Sequence, residues 1–279
     1  MANKCNYKCV NCGEAAPALY KIYSTSVLKL TKCESCKEIV DKYIEYDPVI
    51  VMIDLVLMSK EAQRHVLYNT EFKAFWKLLI VLMMLETYGV WRNDSLFNIV
   101  INTFCGFNNI DNQSAHINIP IPQSWKDNCW AWAQIHKEDD SDLFIWEKDF
   151  YIQFISIFSG FISFLITVHI LMKLVPHCHT KVWRLVKAYS LAHVSVTLSL
   201  PALVWGSGGA GGSALGGGGQ GALPHYLLVF AYSQLVFLNV LTVLYESPVY
   251  ASVLILTISN IAKYLTSYHV TPFLRTVIL

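Results

Sequence analysis

The chain has 279 residues, of which 54% are hydrophobic and only 15% charged, with a formal net charge of +1. Soluble domains are nearer one quarter charged, so an ordinary soluble core is a poor description of this composition. The near-neutral balance gives no electrostatic argument for nucleic acid as a partner.

Residues 1–45 are polar and hold no apolar run of the signal-peptide kind, so membrane insertion is expected from internal segments. The first 36 residues carry five of the eight cysteines, spaced Cys5-x3-Cys9-x2-Cys12, then 20 residues, then Cys33-x2-Cys36. Two C-x2-C pairs at this separation are the pattern of a four-thiolate zinc ribbon. Each pair brings two sulfurs onto one tight turn. The intervening "YKIYSTSVLKLTKC" alternates enough for a small hairpin. Cys9, Cys12, Cys33 and Cys36 are the expected ligands, with Cys5 a spare that competes with Cys9. Four thiolates close the tetrahedral shell, so the zinc is expected to be structural. A redox C-x-x-C pair needs a strand-helix context that is missing here, and a cytosolic setting disfavours disulfides.

The next stretch, "DKYIEYDPVIVMIDLVLMSK", turns from polar to apolar at Asp47 and Pro48, which suit a helix cap and first turn. Pro48 to Met58 is 11 residues, about 16 Å as a helix, too short to span a bilayer. The run continues into "KEAQRHVLYN". An interfacial or re-entrant helix over 47–70 fits, and so does a helix packed on the zinc module; one helix can do both. Lys60, Arg64 and His65 lie near one another on it, as lipid-headgroup candidates or as ordinary snorkelling charges.

Five segments of spanning length follow: 74–91, 150–172, 185–205, 225–245 and 249–270. The third is weakened by Lys187 and Pro201. A bilayer core of about 30 Å needs roughly 20 mostly apolar residues per helix. The expected fold is therefore mainly α: a polytopic helical membrane protein with a small N-terminal four-cysteine zinc-ribbon-like module. The division is 1–46 for the module, 47–70 for the interfacial helix and 71–279 for a membrane domain of four to five helices.

Loop charges set the orientation. The region 92–149 has nine acids against four basic residues, while 173–184 and its edge carry Lys173, Lys181, Arg184 and Lys187 with no acid. Basic loops favour the cytosol. The N-terminus and 173–184 are expected there, and 92–149, the Gly-rich loop 206–221 and, with five spans, the C-terminus in the lumen. Cys105 and Cys129 in the lumenal loop are a candidate disulfide, or two free thiols. Asn112 sits in a glycosylation pattern, "NQS". "PHCHT", 176–180, reads as a solvated basic loop rather than a metal site. Gly206–Gly221 reads as a flexible linker.

Polar residues inside the spans are costly in lipid. They include Glu86, His169, His193, Gln234, Asn239, Asn260 and Lys263, and interhelical hydrogen bonding explains them most simply. No phosphate loop, nucleophile elbow or acidic metal cluster accompanies them, so no catalytic residues are expected and the protein reads as a non-enzyme.

The segments "CVNC", "LTKCESCKEIVDKYIEYDPVIVMIDLVL" and "RHVLYN" resemble the homology domain of the ARV family, proteins related to sterol acyltransferase and required for viability. The resemblance covers about residues 5–75; beyond them it rests on the succession of membrane segments. It implies an endoplasmic-reticulum membrane protein of lipid homeostasis. It links the chain to sterol (cholesterol) transport, sphingolipid balance and early glycosylphosphatidylinositol (GPI) anchor synthesis, and carries over Cys9, Cys12, Cys33 and Cys36 as zinc ligands. The leading expectation is a non-enzymatic handler of sterol or GPI precursor. The alternative is an accessory subunit docking GPI-synthesis enzymes, and a third is an acyltransferase using His169 or His193.

Overall fold

The computed structural model describes residues 7–24, 27–71, 73–91, 95–105, 143–175, 182–199 and 222–278. Cys5, Cys129, Asn112, the "PHCHT" segment and the Gly-rich loop lie outside them.

The chain opens with two antiparallel hairpins. β1 (Tyr7–Lys8) pairs with β2 (Ala15–Ala16), placing Tyr7 opposite Ala16. β3 (Tyr20–Ser24) pairs with β4 (Val27–Leu30), with a register shift between Ile22 and Ser24. The module's own buried cluster is Cys9, Ala16, Leu19, Cys33 and Val40, while Val10 and Tyr43 are buried with Val51 and Ala62 of the following helices. Five mostly small side chains are far too little apolar burial to order some forty residues, so the module needs a further staple.

Asp47 then caps α1 (Pro48–Val56) through its side chain to the Val49 amide. The expected helix over 47–70 is not continuous. Met58 takes φ +61, and the Ser59 amide reaches back to the Asp54 carbonyl at 2.9 Å, a left-handed helix stop. Ser59 caps a second helix, α2 (Lys60–Arg64), which passes into a π-turn over His65–Asn69. The break lets α1 diverge from α2, and α1 exposes Val49, Ile50, Met52, Ile53, Val56 and Leu57 while burying only Val51.

The remainder is helical: α3 (Phe75–Trp91), α4 (Leu96–Cys105), α5 (Leu143–Leu174), α6 (Val182–His193), α7 (Ala222–Tyr245) and α8 (Val249–Ile278). Among the described residues three helices are long and apolar enough to cross a membrane: Glu147–Leu174 in α5, Tyr226–Tyr245 in α7 and Val249–Ile278. The chain is thus a multi-pass membrane protein. The other two expected spans differ from each other, one a continuous α-helix and the other interrupted. The segment 74–91 forms the 17-residue α3, about 25 Å long. The segment 185–205 holds a helix only to His193, then a 3-10 stretch over Val194–Ser199. There Ser195 and Thr197 donate to the carbonyls three residues back, a competition with the α ladder that tightens the turn. The acidic region 92–149 is also shorter as a loop than expected, because α4 and the first turns of α5 fall within it.

α5 and α8 form the most extensive helix pair, antiparallel and lined by hydroxyls. Ser156 and Thr271 meet at 2.7 Å, and Thr266 donates to Ser163 at 2.9 Å. Close approach depends on Gly160: a Cβ there would lie 2.7 Å from Ser267 Oγ and 3.1 Å from the Lys263 carbonyl. Small residues at such contacts let membrane helices pack backbone to backbone. Gly160→Ala should lower the thermal unfolding midpoint of the purified protein and Gly160→Val lower it further, at a cost of about 1–3 kcal/mol. Unchanged midpoints would mean that these helices do not touch there.

The bundle has two distinct ends. At one, Lys8 pairs with Glu246 in the α7–α8 turn, Tyr68 donates to the Leu244 carbonyl at 2.9 Å, and Lys187 of α6 donates to the Thr70 carbonyl at 2.9 Å. The cysteine module therefore meets the turn 246–248, and the π-turn that follows α2 meets the end of α7 and the middle of α6. At the other end Arg275 and Asp149 pair at 2.8 Å, and Trp91 meets Phe150 edge to face at 6.0 Å.

Candidate metal centre and membrane chamber

The two C-x2-C turns are built alike, residue for residue. In the first, the Cys9 amide donates to the Glu14 carbonyl at 2.8 Å and the Gly13 amide to the Cys9 carbonyl at 3.0 Å. In the second, the Cys33 amide donates to Glu38 at 2.8 Å and the Lys37 amide to Cys33 at 3.1 Å. Each turn ends in a left-handed residue, Gly13 at φ +83 and Lys37 at φ +63. That conformation folds the chain back so that both sulfurs of a pair face the same point. The Val10 amide to the Val40 carbonyl, 2.9 Å, ties the first turn to the segment leaving the second.

The four sulfurs lie within 4.8 Å of one another. Cys9 and Cys36 are 3.7 Å apart across the two turns, and so are Cys12 and Cys33. A tetrahedral site with zinc–sulfur bonds of about 2.3 Å requires sulfur separations of about 3.8 Å. The cluster therefore has the dimensions of a four-thiolate zinc site, and all four thiols are free. The local environment prepares them unequally. Burial pushes the Cys9 thiol up to about 12, against the amides of Cys12 and Asn11. The amides of Cys36 and Ser35 hold Cys33 down to about 7. Amides aimed at the sulfurs are what a bound thiolate needs.

The π-turn fastens this centre to the membrane helices. Asp41 is fully buried; its carboxylate accepts from the Tyr43 amide at 3.0 Å and from Asn69 Nδ2 at 2.7 Å, and it contacts His65 Nδ1 at 2.7 Å. Asn69 also pairs with both backbone groups of Lys8. Arg64 Nη1 donates to the carbonyls of Val10 and Asn11, at 2.7 and 2.6 Å. On the other flank Tyr43 donates to Asp54 of α1 at 2.7 Å, and burial pushes its phenol up to about 12. Of the three headgroup candidates, only Lys60 is an exposed side chain. Arg64 and His65 are half-buried, Arg64 bonded to the first cysteine turn and His65 to Asp41 and Thr70. Their spacing puts them on one helix face but does not fix what that face meets.

Deeper in the bundle three ionisable side chains converge. Lys263 Nζ of α8 donates to Glu86 Oε1 of α3 at 2.8 Å and reaches the Tyr189 hydroxyl at 3.5 Å. His193 of α6 places Nε2 3.2 Å from Glu86 Oε2. That contact lacks hydrogen-bond alignment, and among the described residues neither atom has a hydrogen-bond partner. Asn260 donates to Gln234 at 2.7 Å nearby. These groups line a chamber of about 160 Å³. It shares Phe97, Phe230, Gln234, Asn260 and Tyr264 with an apolar groove of about 1100 Å³ between α4, α7 and α8. Five of the seven polar residues expected within spans thus gather at one place. His169 and Asn239 are not among them.

Cys105, at the end of α4, is disulfide-bonded. The other described cysteines are free, so its partner is not among the described residues.

The sequence pattern of the Arv1-like family matches residues 8–208. "Protein ARV1" of Homo sapiens is 46% identical over 87 residues, 31% of this chain and 32% of that protein. "Protein ARV 2" of Arabidopsis thaliana is 38% identical over 87 residues, 29% of this chain and 38% of its own length. "Protein ARV1" of Candida albicans is 31% identical over 127 residues, 34% of this chain and 43% of that protein. The chain spans about a third of the length of the first of these curated relatives. No solved structure matches it. The match over 8–208 takes in both cysteine turns, the Asp41–Arg64 connection and α3 through α6, and on that ground the chain belongs to the Arv1-like family.

Proposed function

We propose that this protein is a non-enzymatic lipid handler of the endoplasmic-reticulum membrane. It would support sterol transport and the handling of GPI precursor, with the N-terminal module cytosolic and carrying structural zinc. The observation behind this reading is the apolar groove between α4, α7 and α8 that opens onto the polar chamber. A lipid is itself apolar along its length and polar at one end, and the two spaces meet at Gln234, Asn260 and Tyr264. The exposed apolar face of α1 fits an interfacial helix, held at the surface by the zinc module through Tyr43 and Asp54. In this reading the basic 173–184 loop faces the cytosol, and Cys105 pairs with Cys129 in the lumen.

Transfer of sterol between vesicles containing the purified protein tests this directly. Wild type should accelerate transfer, and Ala231→Trp, which fills the groove from α7, should remove most of the gain. If wild type neither speeds transfer nor retains a specific lipid, the reading falls.

One observation favours a second reading, in which the chain docks GPI-synthesis enzymes. The β3–β4 hairpin exposes Ile22, Tyr23 and Leu28, an apolar surface on the module itself. Pull-down with Ile22→Ser, Tyr23→Ser distinguishes the two. Loss of enzyme partners with lipid transfer intact assigns the hairpin to docking.

A further inference from the structure

A separate cavity of about 580 Å³ lies beneath α1, walled also by α2, α3, α6 and α7. Its lining is almost wholly apolar. Most of its polar groups already have partners: Tyr43 donates to Asp54, Tyr232 to the Val56 carbonyl, Ser195 to the Ala192 carbonyl, and Thr70 meets His65. Gln63 is different. It is 1% exposed, lines the cavity, and its side-chain oxygen is buried without a hydrogen-bond partner among the described residues. A buried acceptor left bare in a folded protein calls for an explanation.

We infer that this cavity binds an uncharged lipid whose polar end carries a hydrogen-bond donor, a hydroxyl or an amide N–H, that donates to Gln63 Oε1. The volume lies within the range of small-molecule sites, about 300–1000 Å³. The ligand is uncharged because, among the described residues, no carboxylate or ammonium lines the cavity, and His65 is held between Asp41 and Thr70. A charged headgroup would lose its hydration there with nothing in return. Water alone is a poor occupant, since a buried water needs two to four polar partners and the donor hydrogens of Tyr43, Tyr232, Ser195 and Thr197 are already used. The Tyr232–Val56 bond, 2.7 Å, clasps the end of α1 to α7, and α1 is itself positioned by the metal module. This rests on the lipid-handling reading and adds to it a donor-selective site distinct from the groove.

The test uses the full chain in nanodiscs with two probes, hexadecanol carrying a diazirine in its chain and the methyl ether of the same alcohol. The alcohol should label peptides from Pro48–Val56 and residues 191–197 about five- to tenfold more than the ether, the worth of one buried hydrogen bond. Gln63→Leu, close in volume, should bring the alcohol down to the ether. Val194→Trp, which fills the cavity and leaves Gln63 in place, should remove both. Equal labelling by the two probes in wild type overturns the site, and so does a preference that survives Gln63→Leu. Labelling confined to the groove, at Leu235 and Leu265, overturns it while leaving lipid handling intact. No labelling above bulk lipid at either place removes both.

Discussion

Replacing Cys33 and Cys36 with serine should strip the protein of zinc and unfold residues 7–46 while leaving the membrane helices inserted. Among the described residues the module's own cluster has five buried side chains, two of them cysteines, and Val10 and Tyr43 are buried against α1 and α2 instead. Structural zinc in small domains supplies apparent folding energies of about 10–16 kcal/mol, far more than that core can. The effect should spread along the connection at Asp41. With the second turn undone, Asp41 loses its fixed place beside His65 and Asn69, and Arg64 loses its carbonyl acceptors on the first turn. Limited proteolysis and metal analysis measure both consequences. The variant should lose its zinc and become cleavable between β4 and α1, with α5, α7 and α8 still protected. A metal-free variant as resistant as wild type would show that the cysteines do not hold the module together.

Lys263→Met should be the most damaging single change within the bundle. It leaves Glu86 buried with only the misaligned His193 beside it. Breaking one side of a buried ion pair costs about 3–5 kcal/mol, because the other charge stays behind. Removing both charges is a different matter. Glu86→Gln with Lys263→Met should recover most of the thermal midpoint, since apolar or neutral replacements of a whole pair are often close to neutral. A double variant no better than the single would mean that the pair, and not the avoidance of a bare charge, sustains the bundle. The same pair of variants reports on function. The double variant should fold yet transfer lipid poorly, because the chamber has lost its charged lining.

What the sequence disclosed depended on how local each feature is. A C-x2-C turn places two sulfurs by backbone geometry within four residues, so Cys9, Cys12, Cys33 and Cys36 could be grouped from spacing alone. The long apolar stretches that became α5, α7 and α8 were equally plain, because length and hydropathy suffice. Other features needed the tertiary structure. Arg64 and His65 read as surface charges because their partners, the carbonyls of Val10 and Asn11 and the Asp41 carboxylate, lie 24 to 54 residues away. Met58 gives no sign of its left-handed backbone, so the break between α1 and α2 was hidden. Glu86, His193 and Lys263 were each visible as costly residues in lipid, but nothing in their order along the chain said that α3, α6 and α8 would bring them together. Gln63 was hidden altogether, an ordinary polar residue in a helical run until burial left its amide oxygen without a partner.

The most direct measurement is mass spectrometry of the lipids that stay with the purified protein, comparing wild type with the Cys33→Ser, Cys36→Ser variant after both are shown to insert normally. A zinc-organised lipid handler should carry a sterol or GPI precursor enriched over the bulk membrane, and the variant should lose that enrichment. Bulk composition in both proteins would contradict lipid handling. Equal enrichment in both would contradict the part assigned to the metal.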